Sequence, residues 1–165
     1  MNKATGEQER LDALRSYNIL DTLPEPGFDA LVCEAAQQFD TPIALISLVD
    51  EERQWFKAAI GLDVSETPRS ISFCAHAIRS EDIFLVADAL ADPVFSNNPL
   101  VQKDPGIRFY AGAPIETKEG HKLGTICVID RSPRNMLPSD TKQTLKGLAD
   151  KVMALIESRS RICTK

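Results

Sequence analysis

Features that would point to a membrane, a nucleic acid or an oxidising compartment are missing from this sequence. No apolar run approaches the ~20 residues that a helix needs to span a bilayer, and the charged residues 1–10 do not resemble a signal peptide. The net charge is −5, without the basic excess typical of nucleic-acid binding. The four cysteines stand singly, with no C-x-x-C pair. This pattern predicts a reduced, cytoplasmic protein without disulfides.

Recognised catalytic motifs are missing as well. The sequence has no Gly-rich phosphate loop, no G-x-S-x-G and no H-E-x-x-H. Cys74 and His76 cannot chelate one ion together, because positions i and i+2 of a helix point roughly 200° apart. His121, in a hairpin turn, is interpreted as structural. The sequence therefore predicts neither an enzyme nor a metal site, and it identifies no cofactor.

The chain that remains is an ordinary globular one. Its 165 residues, 43% apolar and 26% charged, suit one domain with a real core. Periodicity predicts helices over 6–17, 26–39 and 139–162. The second has the cleanest apolar face: Phe28, Leu31, Val32, Ala35, Ala36 and Phe39. We expect 1–22 to be an N-terminal helix and linker, and 23–160 the main folded domain.

Two groups of strands lie far apart in sequence. Residues 43–49 and 54–60 predict one hairpin, and residues 108–116 and 123–130 predict another. A long excursion rich in Pro, Asp and Asn separates them, with a short helix over 70–79 and a short strand over 84–87. The pattern predicts an α+β sandwich around an antiparallel sheet. Terminal helices would cover one face, and the excursion would form the wall and lid of a cup on the other.

Six stretches in order carry a resemblance to a known family. They are PIALISLVD (42–50), RQWFK (53–57), SFCAHAI (72–78), VAD with DPVF (86–88 and 92–95), FYAGAP (109–114) and LGTICVID (123–130). The chain resembles the GAF domain family, over residues 10–158. In particular it is similar to the sensor subgroup found ahead of histidine kinase or diguanylate cyclase domains in bacteria.

The resemblance implies a small-molecule-sensing regulatory domain of signal transduction. It implies a central antiparallel sheet, N- and C-terminal helices together on one face, and a ligand pocket on the other. It also implies that 23–160 is the sensor domain and that the last helix, 139–162, leads to a partner output domain, a histidine kinase or a diguanylate cyclase. Because the family binds diverse ligands, the small molecule itself is not identified.

Alternation along the strands suggests which residues form the pocket. The predicted wall comprises Ser47, Phe56, Phe73, Cys74, Ala77, Phe109, Ala111, Thr125 and Cys127. With no cationic neighbour apparent, the Cys74 thiol is expected to titrate near ~8.5 or higher. Gly112 and Gly124 lie inside strands, where glycine marks a bulge or the close approach of another group, such as a ligand.

Other interpretations of the same residues remain open. Trp55 beside Arg53 could stack a ligand, but a place under a terminal helix or partial exposure is favoured. Asp88 and Asp92 could form a carboxylate pair, but turn caps are favoured. Core packing is the alternative for Cys74.

Two alternative functions follow from relatives with this fold. Free methionine-(R)-sulfoxide reductases use cysteines in the pocket wall, and Cys74 resembles one of these. However, the preceding loop over 65–70 has no second cysteine. Bilin-binding photoreceptor domains place His directly after the chromophore Cys, whereas here Ala75 intervenes.

The last helix carries a wide apolar stripe, which favours self-association. We expect a homodimer through the terminal helices, with a seam that includes Leu148, Val152, Leu155 and Ile162. The alternative is that the first helix covers this stripe within one chain and leaves a monomer.

Overall fold

The computed structural model describes residues 3–103, 105–134 and 140–163, with side chains described from 6 to 159 within these ranges. The helices are α1 (Lys3–Ser16), α2 (Pro26–Phe39), α3 (Phe73–Ala77), α4 (Pro99–Gln102) and α5 (Thr141–Cys163). The strands are β1 (Ile43–Val49), β2 (Arg53–Ile60), β3 (Glu66–Pro68), β4 (Phe84–Val86), β5 (Phe109–Glu116) and β6 (Lys122–Asp130). Within the described ranges, no helix is long and apolar enough to cross a bilayer.

The sheet has six strands in the order β3-β2-β1-β6-β5-β4, and all neighbours are antiparallel. The two predicted hairpins meet at its centre, where β1 pairs with β6 and Ser47 faces Thr125. The short edge strands β3 and β4 both come from the excursion. The sequence analysis assigned β3 to a loop. Pro68 made a strand look unlikely in the sequence. Proline is nevertheless tolerated at the edge of a sheet, which is where β3 lies.

Two apolar clusters sandwich the sheet, which confirms the predicted α+β arrangement. The helix-side cluster joins α1, α2 and α5 to the sheet and contains Leu14, Phe28, Val32, Trp55, Phe109, Ala111, Leu145 and Val152. The excursion-side cluster contains Leu45, Phe56, Phe73, Cys74, Phe95, Tyr110, Cys127 and Ile129. There, α3 is fixed by the stacking of Phe73 on Phe95, whose ring centroids are 4.2 Å apart.

The stripe of α5 is covered within the chain, which corrects the predicted dimer seam. Leu148 and Val152 are 2% and 0% exposed, because α5 packs on β5 and on α2. Leu155 is partly buried and lies against Gly27, the second residue of α2. The side chain of Ile162 lies outside the described residues. A stripe of this width therefore serves the sheet and α2, and a homodimer stays a prediction without Leu148 and Val152 at its seam.

Candidate functional site

A cavity of about 300 Å³ lies between the sheet and the excursion. Its apolar lining is Leu45, Phe56, Gly61, Leu62, Val64, Phe73, Leu100, Pro105, Ile107, Tyr110 and Ile129. Its polar lining is Gln54, Asp63, Thr67, Cys74 and Arg131. A cleft lined by apolar side chains together with a few placed polar groups is the usual form of a small-molecule site.

Three of the nine predicted wall residues line this cavity: Phe56, Phe73 and Cys74. Three lie fully buried in the sheet under Cys74 and outside the cavity lining: Ser47, Thr125 and Cys127. Ala77 is buried in the excursion-side cluster, also outside the lining. A ligand-binding role for any of these residues stays a prediction.

Phe109 and Ala111 lie on the opposite face of the sheet, and this corrects the prediction that they face the pocket. Both belong to the helix-side cluster, while Tyr110 between them faces the cavity. The residues from 109 to 113 are all apolar, aromatic or glycine, so no alternation of polar and apolar positions indicates which face is which. Gly112 admits the Tyr110 ring, because a Cβ there would lie 2.4 Å from the phenol oxygen.

The Cys74 thiol sits among hydroxyl groups at the floor of the cavity. Its sulfur lies 3.1 Å from the hydroxyl oxygen of Thr125, which donates a hydrogen bond to it. The Tyr110 hydroxyl lies 3.2 Å from the same sulfur. Burial raises the pKa of Cys74, but the polar groups of Cys127, Thr125, Tyr110 and Ser47 around the sulfur outweigh it and lower the pKa to about 6.

The expectation of an unshifted or raised Cys74 pKa was therefore wrong. The sequence analysis looked for a cationic neighbour, whereas neutral donors stabilise this thiolate. These donors come from β1, β5 and β6, so only the fold assembles them. Burial raises the pKa values of Tyr110 and Cys127, and charge on Cys74 raises both further.

Gln54 was missed by the sequence analysis, although it organises one wall of the cavity. It is 4% exposed and its side chain joins three elements. Its amide nitrogen donates to the Thr67 hydroxyl at 2.6 Å, and its carbonyl oxygen accepts from Ser72 at 2.6 Å and from Ser47 at 3.1 Å. Ser72 also caps α3 by accepting from the backbone N–H of Ala75. The available signal was a polar side chain inside an otherwise apolar strand.

The favoured interpretations of three other residues agree with their positions. Trp55 is 6% exposed in the helix-side cluster and does not face the cavity. Asp88 and Asp92 accept hydrogen bonds from the backbone N–H groups two residues on, as turn caps do. Gly124 is approached closely by the backbone of Ser47.

Across residues 3–103, 105–134 and 140–163, no group of three His, Cys, Asp or Glu side chains could hold a metal ion.

The chain is similar to known proteins over most of its length. The profile of the GAF domain family matches residues 24–156. A cyclic di-GMP phosphodiesterase of Pseudomonas aeruginosa is 47% identical over 152 residues, which are 92% of this chain and 26% of that enzyme. The chain thus spans about a quarter of its curated relative.

Solved structures show the same fold. The GAF domain of an Acinetobacter phosphoenolpyruvate-protein phosphotransferase aligns with a TM-score of 0.66 and 18% identity, covering 95% of this chain and 98% of that one. Free methionine-R-sulfoxide reductase from Neisseria meningitidis, solved with its substrate, aligns with a TM-score of 0.65 and 17% identity. That match covers 99% of this chain and 95% of the reductase.

Proposed function

This chain belongs to the GAF domain family of regulatory domains, and we propose that it senses a small molecule in bacterial signal transduction. The carrying observation is the mostly apolar cavity beneath the excursion, whose walls are joined by ion pairs to both terminal helices. Occupancy of the cavity would change how those helices are held. The proposal assigns the chain no catalysis of its own.

The cavity indicates the class of ligand. At about 300 Å³ it is at the small end of ligand sites, and apolar side chains form most of its wall. Gln54, Thr67 and Cys74 are neutral polar residues of the lining, while Asp63 and Arg131 place opposite charges on it. A compact molecule with an apolar body and one or two polar groups fits this set.

One connection runs from the cavity to α1. Thr67 lines the cavity, and Arg69, two residues further on, contacts the Glu7 carboxylate at 2.7 Å. Arg10 also bonds Glu7, and it donates to the carbonyl of Lys122. Hydrogen bonds from Arg10 and Arg69 lower the pKa of Glu7 to about 2. The stability that this contributes is present above the ordinary value of 4.5 and is lost as the pH falls towards 2.

A second connection runs from the cavity to α5. Phe56 of β2 lines the cavity, and the next residue, Lys57, projects to the helix side with its side chain fully buried. The Lys57 ammonium contacts Glu25 at 2.5 Å, and Arg159 of α5 contacts the same carboxylate at 2.7 Å. A displacement of β2 would therefore reach α5 through one carboxylate.

The output is proposed to be a signalling enzyme joined to or associated with this domain. The 47% identity with part of a cyclic di-GMP phosphodiesterase supports an output in cyclic di-GMP turnover, over the histidine kinase that the sequence also suggested. Diguanylate cyclase, the other expected output, acts on the same messenger.

The ligand should be captured by native mass spectrometry of the chain after incubation with a small-molecule extract of bacterial cells. We expect a noncovalent adduct with the parent chain and none with Leu62→Trp, because Leu62 lines the cavity and an indole would fill it. The matched control is Leu90→Trp, at a position 47% exposed and outside the lining, which should keep the adduct. An adduct that persists in Leu62→Trp would refute the assignment. So would the absence of an adduct from both the parent chain and Leu90→Trp.

A further inference from the structure

We propose that Cys74 and Cys127 form a reversible disulfide when a small hydroperoxide enters the cavity. The cavity floor would then be a redox-modification site in addition to a ligand site. This inference goes beyond the sensory function proposed above and does not depend on the identity of its ligand.

The fold brings these two thiols together from distant parts of the chain. Cys74 lies on α3 and lines the cavity, while Cys127 lies on the central strand β6. Cys127 pairs across the sheet with Gly112, the residue against which the Tyr110 hydroxyl lies, and that hydroxyl is 3.2 Å from the Cys74 sulfur. Among the cysteines described, these two are buried, whereas Cys33 is exposed on α2. A peroxide that enters the cavity therefore meets the Cys74 thiol first. The Cys127 thiol lies deeper, on the far side of Cys74 from the cavity.

The surroundings give the two thiols different roles. Hydrogen bonds from Thr125 and Tyr110 stabilise Cys74 as a thiolate, the form that attacks peroxides. These bonds outweigh the effect of burial and lower the pKa of the Cys74 thiol, which favours its ionised form. Cys127 keeps its proton, because burial and the neighbouring Cys74 charge raise its pKa. Cys74 is thus the attacking sulfur and Cys127 the resolving one.

The chemistry balances in two steps, with the hydroperoxide as the oxidant. The Cys74 thiolate attacks one peroxide oxygen, the O–O bond breaks, and the leaving oxygen takes a proton from water. Cys74 becomes a sulfenic acid and has lost two electrons. The Cys127 sulfur then attacks the Cys74 sulfur, an S–S bond forms, and the sulfenic oxygen leaves as water with the Cys127 proton. A dithiol reverses the process by exchange and is itself oxidised.

The test uses the full chain with Cys33→Ser and Cys163→Ser, so that only the pair remains. After hydrogen peroxide treatment of the folded protein, both thiols should be lost, with a mass decrease of about 2 Da. A tryptic digest without reductant should link peptide 70–79 to peptide 123–131, and dithiothreitol should separate them. Two thiols that stay free, a Cys74 sulfinic acid beside a free Cys127, or a link between two chains would overturn the proposal.

A pair of tyrosine variants tests the role of the hydrogen bonds separately. Tyr110→Phe removes one donor from Cys74, so the pH midpoint of disulfide formation should rise by roughly one unit. Tyr17→Phe is the control, because its hydroxyl bonds Glu157 on the helix side. Its midpoint should match that of the parent pair. Thermal melts confirm that both variants fold. An unchanged midpoint in Tyr110→Phe would contradict the thiolate assignment.

Discussion

Alanine at position 124 is expected to destabilise the folded chain severely. A Cβ there would lie 1.9 Å from the Ser47 carbonyl oxygen and 2.8 Å from the Leu48 Cα, both atoms of the neighbouring backbone. β1 cannot move away, because it is held between β2 and β6. We expect Gly124→Ala to lose more than about 4 kcal/mol of unfolding free energy, measured by urea denaturation.

Gly147→Ala is the matched control: it also replaces glycine by alanine, but we expect it to raise the free energy of unfolding. Gly147 lies inside α5, and a Cβ there would meet nothing within 4 Å. Because glycine weakens a helix interior, alanine should raise the unfolding free energy by about 0.5–1 kcal/mol. Similar stabilities for Gly124→Ala and Gly147→Ala would show that β1 and β6 do not pack as closely as described.

Lys57→Met is expected to have the second large effect, a loss of about 3 kcal/mol in urea unfolding. The Lys57 ammonium donates to the Thr22 hydroxyl, to the Leu23 carbonyl and to the Glu25 carboxylate. Methionine fills a similar volume but leaves these acceptors without the bond. The segment that joins α1 to α2 loses this attachment to β2, and Glu25 retains its bond from Arg159.

The matched control is Lys142→Met, on the exposed side of α5. Lys142 is 59% exposed and its ammonium lies 3.7 Å from Asp82. An exposed pair of this kind contributes little, so the variant should stay within about 0.5 kcal/mol of the parent. If Lys57→Met were as stable as Lys142→Met, the connection from β2 to α5 would have no energetic basis.

The sequence predicts most of the framework, because its periodicities are local. The apolar face of α2 and both hairpins occur where the patterns place them, since 3.6-residue and two-residue spacings identify helices and strands. The wide apolar stripe on α5 was also identified, but it was interpreted as a seam for self-association, whereas it packs on β5 of the same chain. Its second neighbour is α2 of the same chain, which the stripe alone could not reveal.

The site was predicted only in part, because it depends on nonlocal register. Phe56, Phe73 and Cys74 line the cavity as expected, but Tyr110 takes the place assigned to Phe109 and Ala111. An all-apolar strand looks the same from both faces, so only its partners set which residues point inwards. The donors around Cys74 and the bonds of Gln54 likewise join residues from separate elements, where no sequence spacing relates them.

Hydrogen exchange in α1, followed with and without the same bacterial extract, tests the sensory role most directly. Occupancy should order Thr67 and Arg69 and tighten the contact with Glu7, so peptides over residues 3–16 should exchange roughly threefold more slowly. Leu62→Trp should show no response to the extract. Arg69→Gln should keep protection around the cavity and lose the response of α1. If the extract protects residues 66–78 in the parent and leaves exchange in α1 unchanged, the cavity does not report to this helix and the sensory account is contradicted.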